Sequence, residues 1–208
     1  MLTESGRKIG AVVAAAGLSS RMGAFKPLLP FDGGTVIGRC VANLREAGAS
    51  EIVVVTGHRG EELAEALKGS GVRFVRNPDY ARTQMFDSLR LGLRALAPDC
   101  EVILLTPGDV PLVQPETIRA LLAVNGGFVC PVCAGRQGHP VALGAAFLPA
   151  LLDWSGEGGL RGAVAALGIP VSEAEVADAG MLLDLDTPED YERVLALLKE
   201  TEPHPPTL

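Results

Sequence analysis

The residues of this 208-residue chain that could do chemistry gather in a few short stretches. The first is Ala14-Ala15-Ala16-Gly17, followed by Arg21 and Lys26. Small residues let backbone N–H groups approach an anion closely. A guanidinium fork and a point-charge ammonium suit a polyphosphate whose charge rises as its bond breaks. The spacing matches neither common phosphate loop. Leu18 and Ser19 follow Gly17, so the stretch is not G-x-G-x-x-G, and Lys26 is followed by Pro27, so it is not Walker A. A dinucleotide oxidoreductase and a P-loop ATPase both lose their main support. The plain alternative is a surface turn with two solvated cations.

Carboxylates form the second group. Asp109 lies between Gly108 and Val110-Pro111, where it could hold Mg²⁺ against triphosphate oxygens or satisfy the N–H groups of a turn. Asp184 and Asp186 flank Leu185, so in a strand they would share one face. Asp186 could also cap the helix expected from Pro188, with Glu189 and Asp190 complementing its N-terminus. Asn77, before Pro78, could hold a turn. In Arg136-Gln137-Gly138-His139-Pro140-Val141, His139 could hydrogen-bond a phosphate or a heterocycle and Arg136 could offset phosphate charge. Otherwise His139 is a loop histidine pinned by Pro140. Arg161, between Leu160 and Gly162, offers another cation, and His58 reads as a solvent-facing loop residue.

Something must position these groups, and the pattern is alternation of strand and helix. Ile9–Ala15, Ile52–Thr56, Val72–Val75, Val102–Thr106 and Phe128–Pro131 read as short buried strands. Between them Thr35–Ala47, Glu61–Leu67, a stripe from Met85 to Leu96 and a stretch from Pro115 read as helices. The alternation loosens among the glycines from Gly135 to Gly162, and a last strand near Leu182–Leu185 feeds a helix at Pro188–Lys199. Such a chain folds as α/β, a three-layer, mostly parallel, Rossmann-like sheet with helices on both faces. Ligands then sit beyond the carboxyl ends of the strands, on the loops after Ala15, Val75, Thr106 and Leu185.

Composition bounds the rest. Hydrophobic residues make up 48%, which excludes a wholly disordered chain, and aromatics only 4%, so the core is aliphatic. Eighteen basic against 25 acidic residues leave a net charge of −7, which argues against a broad basic surface for nucleic acid. No apolar run approaches the ~18–20 residues that cross a bilayer, and the first ten residues carry no apolar leader segment. Cytoplasmic placement is the expectation, with no nucleic acid or membrane partner. Cys130 and Cys133 form a lone CxxC with no second pair for zinc, and read as two small buried residues at a strand end. Residues 1–200 read as a single domain, elaborated at about 128–180 around a substrate pocket, with 201–208 a polar tail that frays.

The stretch AAAGLSSRMGAFKPLL resembles the (L/A)AxGxSxRMGxxKxL motif of the MobA-like nucleotidyltransferases, and within them the molybdenum cofactor cytidylyltransferases (the MocA type). The resemblance extends through Asn77–Tyr80, PGDVPLV at Pro107–Val113, RQGHPV at Arg136–Val141 and DLDTPEDYERV at Asp184–Val194. It implies the nucleotide-diphospho-sugar transferase-like fold and an Mg²⁺-dependent transfer of CMP from CTP to the phosphate of a molybdopterin-type cofactor, with release of pyrophosphate. It also implies roles: Asp109 and Asp186 hold the metal, with Asp184 the fallback. Arg21 and Lys26 neutralise the phosphates and, with Asp109, are catalytic. Ala14, Ala15, Ala16, Gly17, Asn77, Ser88 and Gly108 contact the nucleotide; Arg136, Gly138, His139 and Pro140 contact the acceptor. Ser88 matches the family's G-M-x-S-S-L helix start, whereas Phe86 and Asp87 depart from it. GTP-using relatives carry LAGG where this chain has Ala14–Gly17, which points to CTP. A molybdenum hydroxylase receiving the product is the further partner implied. The other readings are use of GTP, another phosphorylated acceptor (sugar phosphate, methylerythritol phosphate, phospholactate), and a molybdenum cofactor chaperone without turnover.

Overall fold

A computed structural model describes residues 6–201. Strand β1 (Ile9–Ala15) is an almost wholly buried apolar run, as expected of a central parallel strand. After a 3-10 turn at Lys26–Leu28, β2 (Pro30–Phe31) and β3 (Gly34–Thr35) form a small hairpin. Helix α1 (Val36–Glu46) starts there, its N-terminus capped by the Thr35 hydroxyl, which accepts from the Gly38 N–H. The chain continues through β4 (Glu51–Thr56), α2 (Gly60–Ala66), β5 (Arg73–Arg76), α3 (Met85–Ala95), β6 (Val102–Pro107) and α4 (Pro115–Ala123). Then follow β7 (Phe128–Cys133), β8 (Arg136–Gln137), β9 (Val141–Gly144), α5 (Leu148–Asp153), α6 (Gly159–Ala166), β10 (Val171–Glu175), a 3-10 turn over Ala179–Leu182, and α7 (Pro188–Thr201).

One sheet runs in the order β10-β7-β9-β6-β1-β4-β5, with β8 hairpinned onto β7. β1 pairs in parallel with β4 on one side and β6 on the other. The chain thus winds outward through β4 and β5, then returns past β1 to β6, leaving a switch point between the carboxyl ends of β1 and β6. The register sets Ala14 beside Pro107 there. Two apolar layers cover the sheet. Ile9, Ala11 and Val13 face Ile37, Val41 and Leu44 of α1, Leu63 of α2 and Ile118 and Leu121 of α4. Val12, on the other face, belongs to the layer that Leu89 and Leu93 of α3, Leu151 of α5 and Val164 of α6 complete. Helix α3 rests directly on the sheet through Gly92, where a Cβ would lie 2.3 Å from Val12 Cγ1.

The sheet is mixed rather than purely parallel, because β9 runs antiparallel to both β6 and β7. Neither β9 nor β10 is evident in the sequence. β10 is an edge strand with only Ala174 buried, so it needs no hydrophobic run. The strand expected near Leu182–Leu185 does not form; a 3-10 turn and irregular backbone take its place. Gly180 packs against the Leu112 backbone, where a Cβ would lie 2.5 Å from the Leu112 oxygen, and buried Asp178 ties the turn down. Its carboxylate accepts from Gln114 N–H (2.9 Å), Thr117 hydroxyl (2.7 Å) and Gly180 N–H (2.9 Å). Met181 is buried in the 3-10 turn and Leu185 in the irregular chain after it. Cys130 and Cys133 lie in β7 as free thiols, three residues apart and so on opposite faces, Cys130 buried with the α3 layer and Cys133, against expectation, only half-buried against the other. Of the tail expected at 201–208, Thr201 ends α7 and the remainder lies outside the described residues.

Candidate active site

The loop after β1 folds back on itself. Ser19 adopts a left-handed backbone (φ 54°), its carbonyl accepts from Met22 N–H (3.1 Å), and its hydroxyl accepts from the Lys26 N–H (3.2 Å). Lys26 is thereby fixed at its backbone, and its side chain, only 11% exposed, crosses to the end of β6. Asp109 waits there because Gly108 brings the β6 loop against β1. The Gly108 N–H donates to the Ala14 carbonyl (3.0 Å), and a Cβ at Gly108 would meet Ile37 Cδ1 at 2.6 Å.

The third segment of the site is the irregular chain before α7. Leu185, fully buried, donates its N–H to the Asp109 carbonyl (3.2 Å), which brings Asp186 alongside Asp109. Thr187 caps α7: its hydroxyl accepts from the Asp190 N–H (3.2 Å) while the Asp190 carboxylate accepts from the Thr187 N–H (2.9 Å). Asp186 therefore does not cap the helix, and its carboxylate faces the cations. Lys26 Nζ lies 3.2 Å from Asp109 Oδ2 and 2.6 Å from Asp186 Oδ1, and Arg21 Nη1 lies 2.8 Å from Asp186 Oδ2. Asp184 is exposed, and its carbonyl accepts from the Asp186 N–H (3.1 Å).

The two carboxylates sharing one ammonium respond differently. Burial pushes the Asp109 carboxyl above the usual range, opposed by the Lys26 charge and reinforced by Asp184 and Asp186. The hydrogen bond from Lys26, with Arg21 helping, holds the more exposed Asp186 below that range. Behind them the Cys40 thiol is pushed up to about 12 by burial, with the Asp109 charge adding, so it is no nucleophile. Among the described residues no cluster of three or more His, Cys, Asp or Glu could hold a metal alone. Two converging carboxylates are nonetheless the hard-oxygen set that Mg²⁺ takes when substrate phosphates complete its shell, so the donors fit that ion.

One cavity opens on this cluster through Lys26 and Asp109, and a second adjoins the first. The first, about 230 Å³, is lined by Ala14, Ala15, Ala16, Gly17, Ser19, Lys26, Gly108 and Asp109, and across from them by Tyr80, Thr83, Gln84, Met85 and Ser88. The second, about 350 Å³, has apolar walls from Met85, Phe86, Leu89, Leu105, Phe128, Val141 and Leu160, with Gln84, Thr106, Gln137, His139 and Arg161 as its polar side chains. Gln84, Met85 and Pro107 belong to both, so the cavities share a wall.

Most of the residues expected from the sequence line these two spaces; Arg21, Asp186, Asn77, Arg136 and Pro140 do not. Asn77 is buried and spent on its own loop: its amide donates to Thr83 Oγ1 (2.9 Å) and Ser88 Oγ (3.0 Å), and its oxygen accepts from Asp79 N–H (3.0 Å). It shapes the wall from behind. Arg136 is exposed in β8 and lines neither cavity, nor does Pro140. Gly138 and His139 do line the second, anchored where the His139 N–H donates to the Met181 carbonyl (3.2 Å). Burial pushes the His139 imidazole below its ordinary range, against the pull of Asp184. Asp87 closes a capping box on α3, accepting from the Gln84 N–H (2.9 Å), so its charge serves the helix end. Ser19, Tyr80, Thr83 and Gln84 were not anticipated as site residues. Two of them carry a signal in the sequence, Ser19 as the serine of the GxSxRMG motif and Tyr80 as the last residue of the Asn77–Tyr80 stretch. His58 does not stand alone in solvent: its ring lies 5.5 Å from Phe25 and 6.2 Å from Tyr80, under the loop that carries Lys26.

Comparison with known proteins matches residues 11–200 to the MobA-like NTP transferase domain. The chain is 33% identical over 185 residues to the molybdenum cofactor cytidylyltransferase of Escherichia coli (strain K12), covering 88% of this chain and 93% of that protein. Among solved structures, a nucleotidyl transferase from Methanothermobacter thermautotroptrophicus superposes with a TM-score of 0.83 at 34% identity, covering 95% of this chain and all of that one. The Mycobacterium tuberculosis H37Rv protein Rv0371c, solved in complex with manganese, superposes at 0.77 with 30% identity, covering 91% of this chain and 98% of its own.

Proposed function

This chain belongs to the MobA-like NTP transferase family and is a nucleotidyltransferase, and on that premise we propose that it transfers CMP from CTP to the phosphate of a molybdopterin-type cofactor. The observation that carries this is the ion cluster of Arg21, Lys26, Asp109 and Asp186, set beside a small polar cavity that shares a wall with a larger apolar one. A polyol acceptor would need a partner for each buried hydroxyl, and the apolar walls offer few. A phosphorylated heterocycle suits them better.

In the mechanism the acceptor's phosphate oxygen attacks the α-phosphorus of CTP, the bond to the bridging oxygen breaks, and pyrophosphate leaves with its electron pair. A phosphate dianion is already a nucleophile, so no residue need form a covalent intermediate. Catalysis is then alignment and charge neutralisation. The amides of Ala15 to Gly17 cradle the nucleotide, and Lys26 and Arg21 offset the charge that grows on the departing pyrophosphate. Asp109 and Asp186 would hold Mg²⁺, which supplies electrophilic polarisation of the phosphate oxygens when bound. His139 and Arg161 bind the acceptor, with Gly138 giving the loop its close approach to Met181. The alanines of Ala14–Gly17, in place of LAGG, favour the pyrimidine. Residues 1–200 act as one catalytic domain, and a molybdenum hydroxylase is the partner this product implies. Incubation with each of the four nucleoside triphosphates, Mg²⁺ and molybdopterin-type cofactor, followed by pyrophosphate release, tests the reading. CTP should give the fastest release, and no release with any of the four would sink it.

A further inference from the structure

Lys26 occupies a position that two substrates contest. Its Nζ lies between Asp109 Oδ2 (3.2 Å) and Asp186 Oδ1 (2.6 Å), with only 11% of the side chain exposed. On the nucleotidyltransferase reading, the triphosphate needs that ammonium and the divalent ion needs those two carboxylates. A bare divalent ion approaching the carboxylates meets a positive charge already at contact distance. A bare triphosphate approaching the ammonium meets two carboxylates. Only when both arrive does each charge find its opposite. Arg21 is different: it reaches Asp186 from outside, 71% exposed, and does not stand between the carboxylates.

We infer that Lys26 is the metal site's own counter-cation before substrate binds, so that divalent metal and nucleoside triphosphate enter by exchange. The inference rests on the proposed function and adds the order of assembly to it. The geometry requires little movement. The Lys26 backbone N–H stays on the Ser19 hydroxyl (3.2 Å) and Pro27 fixes the following residue in the 3-10 turn, so only the side chain swings. Because coupling of this kind is reciprocal, whatever factor the triphosphate adds to metal affinity the metal adds to triphosphate affinity; such factors commonly run to about 5–150-fold.

The test is Mn²⁺ binding without nucleotide, followed by the electron paramagnetic resonance of the free ion, on the full chain and its Lys26→Ala and Arg21→Ala variants. Lys26→Ala should bind Mn²⁺ about tenfold or more tightly than the unaltered chain, whereas Arg21→Ala should gain less than about threefold. Equal gains in both variants, or none in Lys26→Ala, overturn the inference, since any lost positive charge or none would then explain the result. Lys26→Met, which keeps the buried stem, replaces the alanine variant if thermal melting shows that the latter does not fold. Calorimetry of CTP binding to the unaltered chain, in EDTA and in Mg²⁺, reports on the underlying reading by itself. CTP that binds in neither buffer refutes the nucleotidyltransferase proposal, while the nucleotide-free Mn²⁺ titration still decides the exchange.

Discussion

Replacing His139 with alanine probes the division of labour between the two cavities. The ring lines the apolar cavity and not the one beside Lys26, and its Nδ1 is buried without a hydrogen-bond partner among the described residues. Burial holds the imidazole below its ordinary pKa, so at pH 7 it is neutral and has one N–H to give. A hydrogen bond from that N–H to a charged acceptor is worth roughly 1.5–3 kcal/mol, about ten- to a hundredfold in kcat/KM. Steady-state kinetics with each substrate varied in turn should therefore show a higher KM for the acceptor and a CTP KM within about twofold of the unaltered enzyme. His139→Gln, which restores an N–H donor, should recover part of the loss. A matching rise in both KM values would refute the separation of the sites, and no change in either would remove His139 from the acceptor site. The same burial has a pH consequence. The unfolded chain takes up this proton near pH 6.5, before the folded one does. The neutral ring's contribution to stability is thus intact above about pH 6.5 and is lost as pH falls toward the depressed folded value. Urea midpoints at pH 7.5 and 5.5 should show the unaltered chain losing more on acidification than His139→Gln.

Other expectations are as direct. Asp109→Asn should lower kcat by about 10³-fold or more, since it removes a metal charge. Burial raises the Asp109 carboxyl's pKa, so its ionised form costs stability at neutral pH and the Asn variant should melt no lower than the unaltered chain; a cooperative loss of fold would contradict this. Gly92→Ala should destabilise by about 1–3 kcal/mol, because its Cβ would lie 2.3 Å from Val12 Cγ1 and 2.8 Å from Val55 Cγ2; an unchanged urea midpoint would show that α3 can lift from the sheet freely. CTP should exceed GTP in kcat/KM, and equal or reversed preference would place base choice away from Ala14–Gly17.

Periodicity made the sheet's centre legible. The buried run of β1 and the stripes of α1 and α3 announce themselves because packing on both faces demands apolar residues. Strands β9 and β10 did not, since one is four residues long and the other buries a single alanine. Leu182–Leu185 misled for the opposite reason, looking like a strand when Leu182 ends a 3-10 turn and Leu183 and Leu185 pack as irregular chain under α7. In the site, Lys26, Asp109 and Asp186 were legible from residue type and motif. Their meeting on one ammonium was not, because it depends on the Leu185-to-Asp109 backbone bond and on Thr187 taking the helix cap. Asn77 shows the converse: a polar residue in a candidate site loop whose side-chain hydrogen bonds tie that loop to itself and to Ser88 of α3.

The most direct measurement of the central proposal follows the phosphorus atoms of CTP. Parallel incubations with acceptor and Mg²⁺ would carry the radiolabel either at the α-phosphorus or at the γ-phosphorus. Attack at the α-phosphorus sends the α-label into the acceptor and the γ-label into pyrophosphate, in equal amounts. Appearance of the γ-label in the acceptor would mean kinase chemistry, and release of α-label as free CMP without acceptor labelling would mean hydrolysis; either outcome contradicts nucleotidyl transfer by this site.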